Sequence, residues 1–227
     1  KHHAYRKEPN KLISRYEDTD RIISTFTSTN AVSQTFLIEG IRGSGKTVLM
    51  TTVAKTLGQD KNWIIINLNP TLDLLSSLAM RLKDVSHSKA DIFDKGFSVS
   101  AAGFGVGLNA TEKSNDPIGE IDKAFQTIIR KKMRVLITID EVIHDNNMKT
   151  FASQFQILVR QDYPVFLLMT GLYENIYAVQ NDPALTFLLR SPKVRLEPLS
   201  IRQIAMQYAE IFEMEQPEAM KLAEITK

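Results

Sequence analysis

The octapeptide Gly40-Ile41-Arg42-Gly43-Ser44-Gly45-Lys46-Thr47 constrains the fold of this chain more than any other stretch. An apolar run, Thr35–Glu39, leads directly into it, and an apolar pattern of helical period, Val48–Leu57, leads directly out. Strand, glycine turn and helix in immediate succession make a βα junction, with the positive end of the helix facing the turn. Glycines permit backbone angles closed to other residues, so successive N–H groups can converge on one anion. The pattern is G-x-x-x-x-G-K-[ST], in which the lysine reaches phosphate oxygens and the terminal hydroxyl ligates Mg²⁺. The expected phosphate cradle is therefore Gly40, Arg42, Gly43, Ser44, Gly45, Lys46, Thr47 and Val48, with Thr47 on the metal.

The rest of the chain repeats the alternation. Thr35–Ile38, Trp63–Leu68, Val135–Ile139, Val165–Met169 and Val194–Leu196 are nearly continuous apolar runs. Such runs suit strands buried on both faces of a parallel sheet. Helical patterns occupy Val48–Leu57, Leu72–Lys83, Ile118–Lys131, Met148–Arg160 and Leu172–Val179. An α/β sheet with helices on both faces follows. At 227 residues and 43% hydrophobic content, the chain can bury a core of that size.

Composition narrows the function classes. There is no cysteine, which excludes disulfides and thiolate metal sites. The four histidines are scattered, and 28 basic against 26 acidic residues leave a net charge of only +2, which creates no strong anionic steering. No apolar run approaches the roughly 18 residues that span a membrane, and no signal peptide opens the chain, so a cytoplasmic location without membrane contact is expected.

A phosphate cradle that uses Mg²⁺ calls for an acidic residue at the end of another buried strand. The run "VLITIDEV" supplies Asp140 for the metal shell, and Glu141 follows, where a carboxylate can activate an attacking water. An Asp-Glu pair at a strand-to-helix loop could also serve as a cap; the upstream glycine loop favours the catalytic reading.

With these two motifs, and with "FASQFQILVRQDYPVFLLMTGLYENI" and "LTFLLRSPKVRLEPLS" downstream, the chain resembles P-loop ATPases of the AAA+ and STAND group. It is similar in particular to the archaeal-type and origin-recognition-like ATP-binding proteins of bacteria. The resemblance covers most of the chain. It implies a three-layer P-loop fold with sheet order 5-1-4-3-2, a core over 1–197, and the start of a helical lid over 198–227. It also implies ATP and Mg²⁺ as ligands, and a Mg²⁺-dependent ATPase acting as a nucleotide-driven switch. Thr170 is implied as a polar sensor near the γ-phosphate, and Arg190 as an arginine finger completing a neighbour's site. Arg42 and Arg195 are weaker finger candidates. Implied partners are further copies of the chain, and DNA or a protein partner through a segment C-terminal to this one. DNA belongs with an origin-recognition or transposition-helper role, and a protein partner, bound through the Gly-rich stretch Gly96–Leu108, with a signalling NTPase.

Two regions stand apart. In "GFSVSAAGFGVGL", Gly96–Leu108, the apolar alternation changes phase at Ala102-Gly103, as a β-hairpin would produce. Its G-x-G-x-G lacks the final glycine of the dinucleotide fingerprint, so a structural or partner-binding hairpin is expected rather than a ligand loop. The basic run "RKKMR", Arg130–Arg134, ends a helical pattern, where cations suit the helix dipole better than they indicate a DNA contact.

Overall fold

Five strands, all parallel, form one sheet in the order β2-β3-β4-β1-β5. They are β1 (Thr35–Gly40), β2 (Trp63–Leu68), β3 (Arg134–Ile139), β4 (Val165–Gly171) and β5 (Lys193–Leu196). Read from the other edge, this is the 5-1-4-3-2 order implied by the resemblance. The computed structural model describes residues 16–29, 31–87 and 116–226. The hairpin expected over 96–108 lies outside the described residues.

The helices are α1 (Tyr16–Thr27), α2 (Lys46–Leu57), α3 (Leu74–His87), α4 (Pro117–Arg130), α5 (Asn146–Arg160), α6 (Tyr173–Gln180), α7 (Ile201–Ile211) and α8 (Gln216–Thr226). A 3₁₀ segment, Pro183–Arg190, separates α6 from β5. Alternate residues of each strand enter different clusters, because successive side chains point to opposite faces. On one face Ile22 and Phe26 of α1 and Leu49, Val53 and Leu57 of α2 pack on Phe36, Ile38, Ile65, Leu136 and Leu168. On the other, α3, α4, α5 and α6 cover Leu37, Ile64, Ile66, Val135, Ile137 and Leu167. Three layers result.

Side chains fix where several helices start. Asp116 accepts from Gly119 N at 2.9 Å, with Pro117 opening α4. Asp145 accepts from Met148 N at 2.8 Å to start α5, and Ser200 and Gln203 form a reciprocal capping box at α7. Each cap supplies an acceptor for one of the N–H donors a helix start leaves unsatisfied, a contribution of about 1 kcal/mol. Helices α7 and α8 close over a cluster of their own, centred on the fully buried Ala205, Ala219 and Ala223. Two arginines of the basic run are held within the fold: Arg134 donates to Phe26 O at 2.9 Å and lies over Trp63, and Arg130 bonds back to Gln126 O at 3.2 Å. Among the described residues no helix is long and apolar enough to cross a membrane.

Candidate functional site

The site lies at the carboxyl ends of β1, β3 and β4, where open parallel sheets hold ligands. Gly40 ends β1 under tight constraint. A Cβ there would stand 2.5 Å from Ser44 Oγ and 2.7 Å from Leu196 O, so only glycine lets the loop close onto β5. Gly43 and Gly45 have φ of 76° and 90°, the left-handed region that other residues enter at a cost. Gly45 is also the residue before α2, and no side chain caps that helix. The first-turn N–H groups of α2 thus lack a side-chain acceptor, and the first turn carries no acidic residue.

Lys46 is 5% exposed. Its ammonium donates to Gly40 O at 3.0 Å and Ile41 O at 2.8 Å. Both partners are neutral carbonyls, and among the described residues no carboxylate pairs with it. A buried cation at a helix N-terminus, without a counter-charge, is costly unless an anion shares the site. The residues present therefore fit a bound phosphate chain. Ser44 is buried beside Lys46, whereas Arg42, Thr47 and Val48 are exposed toward the site mouth.

Asp140 joins three elements. Its Oδ2 accepts from Thr47 Oγ1 of α2 at 2.8 Å, and its Oδ1 accepts a short bond from Thr170 Oγ1 of β4. Among the described residues no group of three or more His, Cys, Asp or Glu side chains is gathered to hold a metal. Mg²⁺ does not need one, since it binds through one or two protein oxygens, waters and substrate phosphates. The paired oxygens of Thr47 and Asp140 suit that mode.

Glu141 adopts φ 53°, unusual for a residue with a Cβ. Two bonds hold it there: Glu141 N donates to Thr170 Oγ1 at 3.1 Å, and Val142 N donates to Thr170 O at 2.8 Å. The turned backbone leaves Glu141 exposed beside Asp140 while Val142 is fully buried. Thr170, itself fully buried, is the shared partner of both acidic residues. The structure thus brings together Gly40, Gly43, Ser44, Gly45, Lys46, Thr47, Asp140, Glu141 and Thr170. Arg190 is not brought to this group. It is exposed at the end of the 3₁₀ segment and makes no bond or ion pair among the described residues. Arg195 is committed elsewhere, stacked over Tyr173 at 4.4 Å and paired with Glu197 at 3.3 Å.

Sequence reasoning missed two polar groupings. Thr138 Oγ1 donates a short bond to Asn67 on the strand next to Asp140, on the side of the sheet facing α2. Asp182, whose side chain is 6% exposed, accepts from both His144 and Lys149. Strand alternation could have placed Thr138 in phase with Asp140; no local signal could have paired Asp182 with His144.

Together these features define the α/β fold of P-loop nucleoside triphosphatases. No protein-family model matches the sequence, and no curated protein sequence matches it. Solved structures do match in fold. Cdc6p from Pyrobaculum aerophilum is similar with a TM-score of 0.62 at 13% identity, over 97% of this chain and 57% of that one. The Aeropyrum pernix ORC2 protein in its ADP form is similar with a TM-score of 0.62 at 12% identity, over 98% of this chain and 60% of that one. The ORC1 protein of the same organism, in complex with DNA, is similar with a TM-score of 0.55 at 15% identity, over 90% and 50%. The chain therefore spans at most 60% of the length of these neighbours. The resemblance to origin-recognition-like proteins that the motifs carry extends to the fold.

Proposed function

We propose that this chain binds Mg·ATP and hydrolyses it, using the nucleotide state as a conformational or assembly switch. The observation that carries the reading is the buried, uncompensated ammonium of Lys46 beside the bond from Thr47 to Asp140. The loop N–H groups and Lys46 would hold the phosphates, and Thr47 and Asp140 would hold Mg²⁺, which supplies charge neutralisation at the phosphoryl oxygens. Glu141 would accept a proton from the attacking water, and Thr170 would hold Glu141 and Asp140 in register. Catalysis of this kind is positioning and electrostatics, so the rigid Thr170 anchor serves it directly. ATP rather than GTP is favoured by the resemblance and by the lack of an N-K-x-D motif.

The test is a melting shift. At a ligand concentration about 100 times Kd, Mg·ATP should stabilise the protein by about 2.7 kcal/mol. Lys46→Ala should lose most of that gain; an unchanged shift in the variant overturns the phosphate-site reading.

A DNA-linked role is a second reading, favoured by likeness to an ORC1 protein whose structure is a complex with DNA. At a net charge of +2 these 227 residues offer few phosphate contacts, so their own DNA affinity is expected to be weak and salt-sensitive. A protein partner, as in signalling NTPases, is the remaining alternative, and α7 and α8 would open the lid in either case.

A further inference from the structure

Asp182 stands at the junction of three elements that the catalytic reading leaves unconnected. Its Oδ2 lies 2.7 Å from His144 Nε2 and 2.8 Å from Lys149 Nζ, and its Oδ1 accepts from Ala184 N at 2.8 Å. His144 belongs to the loop that begins with Asp140 and Glu141; Lys149 is in the first turns of α5; Ala184 opens the 3₁₀ segment that ends at Arg190. Hydrogen bonding to Lys149, then to His144 and to the Ala184 amide, holds the Asp182 carboxyl well below the usual carboxylate range. An ionised carboxylate only accepts, so His144 Nε2 carries the proton of their bond.

The 3₁₀ segment beyond Asp182 is anchored along its length. Leu185 and Leu188 are fully buried, and the buried Gln180 amide donates to Leu188 O at 2.8 Å. The backbone kinks at Leu185 (φ −120°, ψ 30°), and the packed side chains around it carry strain across the kink because a close-packed interior is poorly compressible. Leu189 and Arg190 project from its far end, exposed. On the other side of Asp182, the loop from Asp140 to Asp145 is fastened by Val142 in the core and by the Asp145 cap of α5. From that loop His144 bonds to Asp182, the N-cap of the 3₁₀ segment.

We propose that Asp182 and His144 are positioning residues that tie the Glu141 loop to the Arg190 segment, so that a subunit's nucleotide state sets how it presents Arg190 to a neighbouring copy. This rests on the nucleotide reading above. Coupling between two sites requires an element that both bias, and the bond from His144 to Asp182 is the shared contact. A ligand that moves the backbone of Glu141 moves His144 three residues on, and with it the N-terminal anchor of the segment. Lys149 and the Ala184 amide keep Asp182 in place when His144 is removed, so loss of His144 should cut the connection without unfolding the segment.

Amide hydrogen exchange over 183–190, with and without Mg·ATP, is the direct measurement. In the wild type Mg·ATP should change the protection of this segment. His144→Ala should abolish the change while keeping the ATP-induced melting shift, and His144→Gln, whose amide can donate to Asp182, should restore it. A second measurement isolates the trans effect. An Arg190→Ala subunit keeps its own phosphate site, and a Glu141→Gln subunit, which binds ATP without turning it over, can lend it Arg190 in a nucleotide-bound state. Adding His144→Ala to the Glu141→Gln donor should lower the ATPase activity of that mixture at least about fivefold, the lower range of coupling effects. Unaltered nucleotide-dependent protection in His144→Ala, or an unaltered mixture, overturns the coupling. So does a wild type that shows the melting shift but no change over 183–190. Absence of the melting shift itself instead sinks the nucleotide reading beneath it.

Discussion

Thr47 Oγ1 donates to Asp140 Oδ2 at 2.8 Å across 93 residues of sequence. The bond spans the gap between the start of α2 and the end of β3, two strands away from β1 in the sheet. It places a hydroxyl and a carboxylate where they can share one hard cation, and β4, which lies between β3 and β1, brings Thr170 to the same carboxylate.

Glu141 combines its proposed role as a base with a strained backbone. Glu141→Gln keeps size and polarity but removes the base. ATP binding should persist while turnover falls by roughly 10²-fold or more, the scale of lost proton transfer. Glu141→Gly should also lose turnover, yet unfold at higher urea, because relief of a left-handed backbone is worth about 1 kcal/mol. Steady-state phosphate release and urea midpoints read the two effects separately; wild-type turnover in Glu141→Gln would assign water activation to another group.

Gly40 and Gly43 should fail for different reasons. A methyl group at Gly40 collides with Ser44 Oγ and Leu196 O, whereas at Gly43 it meets nothing within 4 Å but must sit at φ 76°. Gly40→Ala is expected to cost about 1–3 kcal/mol by overpacking, and Gly43→Ala about 1–2 kcal/mol by strain. A D-alanine at position 43, introduced by semisynthesis, should recover the loss there, since it favours positive φ. The same replacement at position 40 should not recover. Urea midpoints at constant m value are the measurement.

Arg190 acts in trans if it is a finger, and a finger contributes roughly 10³ to 10⁵ in rate. Activity per subunit should rise with protein concentration, and Arg190→Ala should bind ATP yet lose that rise. Mixing it with Lys46→Ala should restore part of the activity. If activity is independent of concentration under assembling conditions and Arg190→Ala is fully active, Arg190 is only a charge near the end of the 3₁₀ segment.

Acid should reveal Asp182. Its folded-state pKa is depressed below the ordinary value of 3.8, chiefly by Lys149 and then His144. A depressed carboxylate stabilises the fold fully above its unfolded pKa and loses that contribution as pH falls toward the folded one. Asp182→Asn should therefore melt lower than wild type at neutral pH, with the gap narrowing below about pH 4 as the unfolded-state carboxyl protonates. A gap that stays constant from pH 7 to pH 2 would show that the ionised form contributes nothing. Among the described residues His144 and Lys149 are the charged or titratable groups paired with Asp182, so the comparison is repeated in Lys149→Met, where the gap should shrink.

Much of the molecule was legible from sequence because its determinants are local. Strands buried on both faces need unbroken apolar runs, and the five runs from Thr35 to Leu196 are the five strands, with β1 extended to Gly40, β4 to Gly171, and β3 and β5 begun one residue earlier at Arg134 and Lys193. Left-handed turns need glycine, so the loop from Gly40 to Gly45 declared itself. Asp140 and Glu141 follow an apolar run, where any side chain must leave the core. The amphipathic helix α1 went unread because, among its described side chains, only Ile22 and Phe26 are fully buried, too sparse a signal beside its polar neighbours. Tertiary structure alone decided the rest. Sheet order sets which strand ends become neighbours, and so brought Thr47, Asp140 and Thr170 into one hydrogen-bonded group. It also buried Asp182 between His144 and Lys149, a pairing that no spacing encodes because single polar residues leave no periodic trace. Patterns that repeat along the chain are visible in the chain; contacts between isolated residues exist only once the layers have packed.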